Sequence, residues 1–323
     1  MRKVNWGVLG TASIAKGFTI PGMQNAENCN LYAIAGRKQE KVQEFKDTFG
    51  FEKGYVSYEE LLADPAVEAV YIPLANNLHY EWTIKALKAG KHVLCEKPMA
   101  PTAKQAEEMI QTAQENGVIL MEAFAYLHSP LMKAVKKELD QGIIGDILYM
   151  ESAFVTFGFD RSNIRSRKET FGGSIYDVGC YNTSLIQWML GEEPKEIKAI
   201  ASFSDQGIDI HDNVWMEYES GKRATFMCGI CLTGDQRIDR WSIYGTKGYI
   251  KVEEEFNGEG ELSYTICTEG KEQIKTVKVP HNYMLEIQQM GRCILEHEDL
   301  YISNEFSVAN SRTLDKILSA IGY

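Results

Sequence analysis

The chain has 323 residues, of which 44% are hydrophobic and 24% charged, and its formal net charge at pH 7 is −11. This length accommodates two domains with a sizeable core, and the composition is ordinary for a soluble globular protein. An acidic surface without a basic tract argues against a nucleic-acid partner, and no apolar run is long enough to predict a membrane-spanning helix.

The first predicted element is a buried strand over the apolar run Val4–Leu9. The turn that follows has the sequence Gly10-Thr11-Ala12-Ser13-Ile14-Ala15, a degenerate form of the dinucleotide fingerprint G-x-G-x-x-G/A. Gly10 would make the tight turn and Ala15 would allow close helix–strand packing, whereas Ala12 replaces the glycine that admits a pyrophosphate. The following helix would still offer N–H groups and a favourable dipole to that anion. A plain glycine turn is the alternative.

The second predicted strand, Leu31–Gly36, is followed by two basic residues. An NAD-specific chain usually carries an acid here, which binds the ribose 2′-hydroxyl. Arg37 could instead pair with a 2′-phosphate, so the sequence favours NADP and leaves NAD possible. The alternative is that Arg37 and Lys38 simply begin an exposed helix face.

A third strand is predicted over Val67–Ile72, after a short helix around residues 58–62. The turn at its carboxyl end places Leu74, Asn76 and His79 where they could border the cofactor. For His79 the alternative is a capping or packed histidine.

The next strand, Val93–Cys95, follows a helix that ends at Gly90, and it leads into Glu96, Lys97 and Pro98. Ligands of open α/β sheets bind beyond the carboxyl ends of the strands, and proline would hold Lys97 in a rigid turn. A surface turn with a solvated Glu–Lys pair is the alternative for this tripeptide.

Two domains are expected from the order of the elements. Strands and helices alternate through residues 1–124, including a strand over Val118–Ala123 with Glu122 near its end, which predicts a doubly wound parallel sheet. In residues 125–323 a helix and the strand Ile147–Phe157 precede a run of successive strands, and two helices close the chain. That pattern predicts an α+β domain with a largely antiparallel open sheet and helices on one face. The other face could meet a second subunit.

The second domain contains one further chemical candidate. Asp177 and Tyr181 are four residues apart and would share one face of a helix that opens at Asp177, although an N-cap acid and a packed tyrosine would look the same. The loop before them carries Arg161, Arg165 and Arg167, one of which could bind a polar substrate. A solvated basic loop explains these arginines equally well.

The seven cysteines are an odd number spread along the chain, which fits reduced thiols and a cytoplasmic protein. Cys228 and Cys231 form a CxxC pair within a predicted strand, where residues three apart point to opposite faces. His79, His92 and Cys95 form no set with tetrahedral spacing either. We therefore expect no metal site.

Four segments in matching order resemble one family across essentially the whole chain: Trp6–Ala15, Tyr71–His79, Ala89–Pro98 and Asp177–Tyr181. The chain is similar to the Gfo/Idh/MocA oxidoreductases, and within them to the branch of dimeric dihydrodiol dehydrogenase, D-xylose dehydrogenase and glucose–fructose oxidoreductase. The resemblance implies a Rossmann domain followed by an α+β domain whose open sheet makes a homodimer or a dimer of dimers. It also implies NAD(P)-dependent hydride transfer at a carbinol or carbonyl carbon of a sugar, polyol or diol.

The resemblance assigns the family's catalytic lysine to Lys97 and its motif aspartate to Asp177. Tyr181 stands where inositol-type members have histidine, and it takes the acid/base role of the tyrosine branch. Ala12 departs from a common glycine, and Leu127 replaces an arginine of many relatives, which leaves the substrate class open. From the sequence positions and the resemblance together, the predicted cofactor-binding residues are Gly10, Thr11, Ala12, Ser13, Ile14, Arg37, Lys38, Leu74, Asn76, His79, Glu96 and Lys97. The predicted substrate-binding residues are Arg165, Asp177 and Tyr181.

We expect Lys97 and Tyr181 to meet the reacting oxygen. The charges of Lys97 and of an oxidised nicotinamide would lower the pKa of a tyrosine from its free value of about 10, so that Tyr181 could exchange protons near neutral pH. Asp177 would orient the lysine or the substrate. The alternative function is a non-catalytic, sugar-responsive regulator of the same fold, because a dinucleotide-binding fold does not guarantee catalysis.

Overall fold

The computed structural model describes residues 2–160 and 162–323, which form two compact units. The first unit comprises the chain up to His128 together with His281–Val308, and the second comprises Ser129–Pro280 and Ala309–Tyr323. This division differs from a single boundary after residue 124, because the chain returns to the first unit near its end. No helix within the described ranges is long and apolar enough to cross a membrane.

The first unit is built on a six-stranded sheet in which every neighbouring pair is parallel. The spatial order is β3-β2-β1-β4-β5-β6. This order confirms the predicted doubly wound sheet, and it puts the switch of direction between β1 and β4, where such sheets bind ligands. The strands are β1 (Val4–Leu9), β2 (Cys29–Ala35), β3 (Lys53–Tyr55), β4 (Ala69–Ile72), β5 (His92–Glu96) and β6 (Leu120–Ala123).

The second unit contains an eight-stranded sheet in the order β14-β13-β12-β11-β7-β10-β9-β8. Its pairs are antiparallel except for β7 with β10, so the predicted largely antiparallel sheet is confirmed. The strands are β7 (Ile147–Phe157), β8 (Glu196–Phe203), β9 (Asp209–Glu217), β10 (Arg223–Leu232), β11 (Ile238–Gly245), β12 (Gly248–Val252), β13 (Gly260–Thr268) and β14 (Lys271–Val279).

The helices alternate with the strands in the first unit and flank the sheet in the second. Two π-helical turns, Ala15–Thr19 and Ile175–Gly179, run directly into α1 and α7. The α-helices are α1 (Ile20–Asn25), α2 (Gln39–Phe49), α3 (Tyr58–Ala63), α4 (Asn76–Lys88), α5 (Ala103–Glu115), α6 (Pro130–Asp140), α7 (Cys180–Leu190), α8 (Asn282–Glu296) and α9 (Asn304–Ile321).

Helices cover both faces of the first sheet. Alternate residues of each strand point to opposite faces, and they fall accordingly into two hydrophobic clusters. Val70 and Val93 pack with α4 and α5, whereas Ala69 and Leu94 belong to the cluster that contains Ile287 of α8. Helix α8 therefore completes one face of the sheet, which explains why it belongs to the first unit.

The second sheet keeps one face open. The inward side chains of β10, such as Ala224, Phe226 and Cys228, are fully or almost fully buried, and helix α7 contacts β7 and β10. On the opposite face Trp215 and Met227 help to line a shallow concavity of about 550 Å³. The pattern is that of an antiparallel sheet with a single helical layer.

Candidate functional site

The turn after β1 has the backbone that the fingerprint requires. Gly10 has φ +129°, a region that side chains other than glycine rarely adopt, and a Cβ there would lie 3.1 Å from Cδ2 of Leu74. The neighbouring Thr11 lies equally close to the end of β2. Gly36 directly follows that strand, and a Cβ added to Gly36 would lie 3.2 Å from Cγ2 of Thr11. The ends of β1, β2 and β4 therefore meet around this turn, as the sequence predicts for a dinucleotide crevice.

The helix that follows the turn starts without a side-chain cap. Ser13 is exposed, while Thr11, Ala12 and Ile14 are partly exposed. The carbonyl oxygen of Ala12 accepts a hydrogen bond from the Lys16 N–H at 3.0 Å, which closes the first helical turn. An uncapped helix start directed from a sheet switch point has the donor set that a pyrophosphate needs, so these residues fit a dinucleotide.

Two exposed cations, Arg37 and Lys38, follow β2. Burial raises the pKa of Tyr58, and the charge of Arg37 partly opposes that shift. The Tyr58 hydroxyl in turn lies 3.8 Å from the position of a Cβ on Gly10. Arg37 therefore lies in the same neighbourhood as the glycine turn, as a contact with the adenosine ribose would require.

His79 lies in the first turn of α4 and is completely buried. Its Nδ1 is 2.9 Å from the carbonyl oxygen of Pro98, and its Nε2 is 3.0 Å from that of Leu74. Burial lowers the pKa of His79. Both ring nitrogens thus contact the protein itself, and the ring joins the loop after β4 to the turn after β5. Asn76 is partly exposed at the start of the same helix.

The turn after β5 contains a cis peptide bond between Lys97 and Pro98, and the Lys97 side chain is partly exposed. Glu96 points inward: its Oε1 accepts a hydrogen bond from the Tyr71 hydroxyl at 2.5 Å, and that hydroxyl accepts one from Thr19 at 2.9 Å. Burial and the charge of Glu96 raise the pKa of Tyr71, so Tyr71 remains the donor. Glu96 is thereby anchored next to the lysine.

Sequence reasoning assigned no role to two buried acids near this turn. Oε1 of Glu122, on β6, accepts the Met99 N–H at 2.8 Å; burial raises its pKa to about 7, and the charge of Lys97 opposes the shift. Glu286, on α8, is completely buried, with no hydrogen-bond partner for either carboxyl oxygen among the described residues. Burial, and then the charge of Glu96, raise the pKa of Glu286 well above its usual range. The sequence offered a signal for Glu122, because it lies near the carboxyl end of a parallel strand.

In the second unit, Asp177 lies within the π-helical turn Ile175–Gly179, where the sequence predicted the start of an α-helix. Its Oδ1 is 3.2 Å from Nε of Arg165, whose side chain is half exposed. The structure therefore brings together two of the predicted substrate-binding residues. Arg167 instead contacts the carbonyl oxygen of Ser162 at 3.2 Å, and Arg161 lies outside the described residues.

Tyr181, in the first turn of α7, is partly exposed and tightly framed. Phe154 and Phe256 meet its ring edge-on, with centroids 5.3 Å and 5.4 Å away. The side-chain amide Nδ2 of Asn257 lies 3.3 Å from the hydroxyl and donates a hydrogen bond to it. The phenol is thus fixed in one orientation, with a polar group at its oxygen.

The turn that carries Asp177 is anchored by a pair of buried acids that sequence reasoning missed. The Ser174 hydroxyl contacts the carboxyl groups of both Asp209, at 3.2 Å, and Asp212, and the Ile175 N–H donates to Asp209 at 2.7 Å. Burial, and then the charge of Asp209, raise the pKa of Asp212 to about 8. Through these contacts the two acids hold the start of the π-helical turn.

Comparison with known proteins agrees with this geometry. Residues 4–124 match the oxidoreductase family with an NAD-binding Rossmann fold, and residues 132–251 match the GFO/IDH/MocA C-terminal domain. The D-xylose 1-dehydrogenase (NADP(+)) 2 of Haloferax volcanii is 33% identical, over 97% of this chain and 95% of that protein. The trans-1,2-dihydrobenzene-1,2-diol dehydrogenase of Mus musculus is 33% identical, over 77% of this chain and 74% of that one.

Among solved structures, a 3-ketoreductase from Actinomadura kijaniata in complex with NADP and TDP-benzene is similar to this chain. The TM-score is 0.93 with 26% identity, and the match covers 99% of this chain and 98% of the other. The fold class and the family that the sequence motifs indicated are both confirmed. The chain belongs to the GFO/IDH/MocA family of oxidoreductases, whose first domain is an NAD-binding Rossmann fold.

Proposed function

We propose that the chain is an NADP-dependent oxidoreductase that transfers hydride between nicotinamide and a carbinol or carbonyl carbon of a sugar, polyol or diol. The observation that carries this proposal is the packing and hydrogen bonding of the Tyr181 side chain. Its partly exposed phenol is held between two aromatic rings and receives a hydrogen bond at its oxygen. A proton-exchanging group kept in this way is what an enzyme needs and a regulator does not. The relatives that act on D-xylose, a dihydrodiol and a keto sugar point to the same chemistry.

The preference for NADP rests on Arg37. It is exposed beside the Gly10 turn, where it could pair with a 2′-phosphate, and β2 ends without the acid that selects NAD. The similar ketoreductase binds NADP, and the Haloferax volcanii relative is named for it. Bound NADP would supply the hydride chemistry. The chain's own turn, from Gly10 to Ile14, would hold the pyrophosphate, while Leu74 and Asn76 would border the cofactor.

We assign the acid/base role to Tyr181 and the polarising role to Lys97. In the oxidative direction Tyr181 removes the proton from the substrate hydroxyl, and in reduction it returns one. The Lys97 ammonium would hydrogen-bond the reacting oxygen and stabilise the charge that develops on it. Asp177, paired with Arg165, would orient the substrate. The contact of His79 with two carbonyl oxygens supports a role in holding the cofactor loop instead of direct contact with the cofactor.

A spectrophotometric panel of pyranoses, polyols and diols, each with NADP⁺ and with NAD⁺, tests the function. We expect cofactor reduction with at least one neutral sugar or diol, faster with NADP⁺, and its loss in Tyr181→Phe. Binding of NADP⁺ without turnover across the panel would refute the enzyme and favour the sugar-responsive regulator. Equal turnover of Tyr181→Phe and the parent would leave an enzyme but refute the assigned base.

The open face of the second sheet favours a homodimer or a dimer of dimers. The shallow concavity on this face is flanked by Ile200, which is 72% exposed, and it contains Trp215. Exposed apolar groups on a broad sheet face are typical of a subunit interface. A cytoplasmic location is favoured by the seven cysteines, which all carry free thiols, as a reducing compartment would maintain them. Analytical ultracentrifugation of Ile200→Asp against the parent tests the interface, and a parent that sediments as a monomer would refute it.

A further inference from the structure

We propose that Asn257 is a positioning residue for the reaction, whose side-chain amide holds the Tyr181 hydroxyl and favours its deprotonated form. The inference rests on the acid/base role proposed for Tyr181 and goes beyond it, because Asn257 lies 76 residues further along the chain, in the loop between β12 and β13. The contact joins Asn257 Nδ2 to the phenol oxygen at 3.3 Å, and both side chains are partly buried.

The loop that carries Asn257 is fastened close to Tyr181 by its neighbour Phe256. The Phe256 ring is almost completely buried, it meets Tyr181 edge-on, and it stacks on Phe154 with centroids 5.2 Å apart. The three rings therefore form one packed cluster. Because Phe256 and Asn257 are adjacent, fixing the ring also fixes where the amide begins.

An ion pair at the start of β11, between Arg237 and Asp239, anchors the same loop. Oδ2 of Asp239 accepts the Phe256 N–H at 3.4 Å and a hydrogen bond from Nε of Arg237 at 2.7 Å. The Arg237 guanidinium also lies over the Phe154 ring, 4.7 Å from its centroid, and 3.5 Å from the Glu255 carboxylate. The residue before the amide is thus held by a backbone hydrogen bond and two ring contacts, and a cation lies over the ring cluster. Such support is what a group needs in order to act on a neighbouring atom with fixed geometry.

The chemistry of a donated hydrogen bond sets the direction of the effect. A donor at a phenol oxygen stabilises the phenolate more than the phenol, because the negative oxygen is the stronger acceptor. Asn257 has no charge, so it assists the base without pairing with it and without repelling a cationic nicotinamide. The charged groups on the elements packed against Tyr181 include Arg237, which precedes β11, Asp239 of β11 and Glu255 of the loop. Asp177, one helical turn before Tyr181, is paired with Arg165. Arg237 and Asp239 pair with each other, whereas the Asn257 amide donates its hydrogen bond to the Tyr181 hydroxyl.

The test is the pH dependence of kcat, measured with NADP⁺ and a substrate found in the panel. For Asn257→Ala we expect the pH of half-maximal kcat to rise by about one unit, which corresponds to one ordinary hydrogen bond. Asn257→Asp places a carboxylate beside the phenol, so its profile should rise further. Glu253→Gln is the matched control: it changes an exposed side chain of the same loop, and its profile should overlay that of the parent.

Several results would overturn the inference. A lower kcat in Asn257→Ala with an unshifted profile, or a profile for Asn257→Asp that moves downward, would reduce Asn257 to a packing residue. Burial raises the pKa of Asp239 to about 7, against the effect of Arg237, so Asp239→Asn identifies any limb of the profile that belongs to that acid. If Asn257→Ala does not fold, Asn257→Ser replaces it. An active Tyr181→Phe would refute the proposed function, whereas an inactive Tyr181→Phe with an unshifted Asn257→Ala would refute this inference alone.

Discussion

Replacing Asp212 by asparagine should remove a pH-dependent loss of stability that the buried acid pair builds into the second unit. Asp212 and Asp209 are both completely buried, and Ser174 has only one hydroxyl hydrogen to offer the two carboxyl groups. The Ile175 N–H also donates to Asp209, so we expect Asp212 to be the acid that keeps its proton in the folded chain. Asparagine has nearly the same shape and presents an N–H and a carbonyl oxygen in place of the acid at every pH.

The direction of the pH effect on stability follows from how Asp212 titrates in the folded and in the unfolded chain. The folded-state pKa of Asp212 is raised to about 8, whereas an aspartate in the unfolded chain titrates near 4. The folded state therefore holds the extra proton between these values, and the free energy of unfolding falls as pH rises through that window. Each pH unit corresponds to about 1.4 kcal/mol, so raising the pH from 5 to 8 costs the parent up to about 4 kcal/mol at this site.

Urea unfolding of the parent and of Asp212→Asn at pH 5, 6.5 and 8 measures this difference. We expect the advantage of the variant to grow by about 2–4 kcal/mol between pH 5 and pH 8, while the exposed Glu261→Gln keeps a constant offset from the parent. Glu122 and Asp239 also have raised pKa values, but they titrate alike in all three proteins and cancel in the comparison. Parallel pH dependences for the parent and Asp212→Asn would refute a raised pKa of Asp212 in the folded chain.

Three further changes test the site. Tyr181→Phe should lower kcat about 10²- to 10⁴-fold with an unchanged near-UV circular dichroism spectrum, and a loss of less than tenfold would contradict the acid/base role. Arg37→Gln should raise KM for NADP⁺ about 10- to 100-fold, as the loss of a charged hydrogen bond implies, and should leave KM for NAD⁺ nearly unchanged; equal effects on both would contradict 2′-phosphate recognition. Gly10→Ala should lower the free energy of unfolding by about 1–3 kcal/mol, because alanine would be strained at φ +129° and its Cβ would press against Leu74; unfolding at the parent's urea midpoint would contradict the strain.

Local patterns were enough for much of the fold. The strands Val4–Leu9 and Ile147–Phe157 have the predicted limits. Each segment is long enough for its apolar run or its alternation of apolar and polar residues to be recognised. The three-residue strand Lys53–Tyr55 was missed, because so short and polar a segment has no period to detect. The π-helical turn at Asp177 was also missed, since an i+4 spacing does not distinguish it from an α-helical turn.

The candidate site was predictable where its residues belong to local motifs and not where tertiary contacts define it. Gly10 and Leu74 follow strand ends, and their proximity follows from the order of a doubly wound sheet. Asn257 lies in an acidic loop with no motif, and Asp212 lies within an ordinary strand, so their roles depend on distant partners in the sequence. The role of His79 similarly depends on two backbone carbonyl oxygens, which a sequence does not reveal.

The late return of the chain to the first unit constrains how the protein is made. Ile287 and Met290 of α8 complete the apolar cluster on one face of the parallel sheet, yet the ribosome synthesises them only after the whole second sheet. Until then the nascent Rossmann segment exposes the surface that α8 will cover. This apolar surface therefore stays exposed until α8 has been synthesised, and during that time it is open to chaperone binding or aggregation. A fragment that ends at residue 124 lacks α8 and would keep this surface exposed permanently.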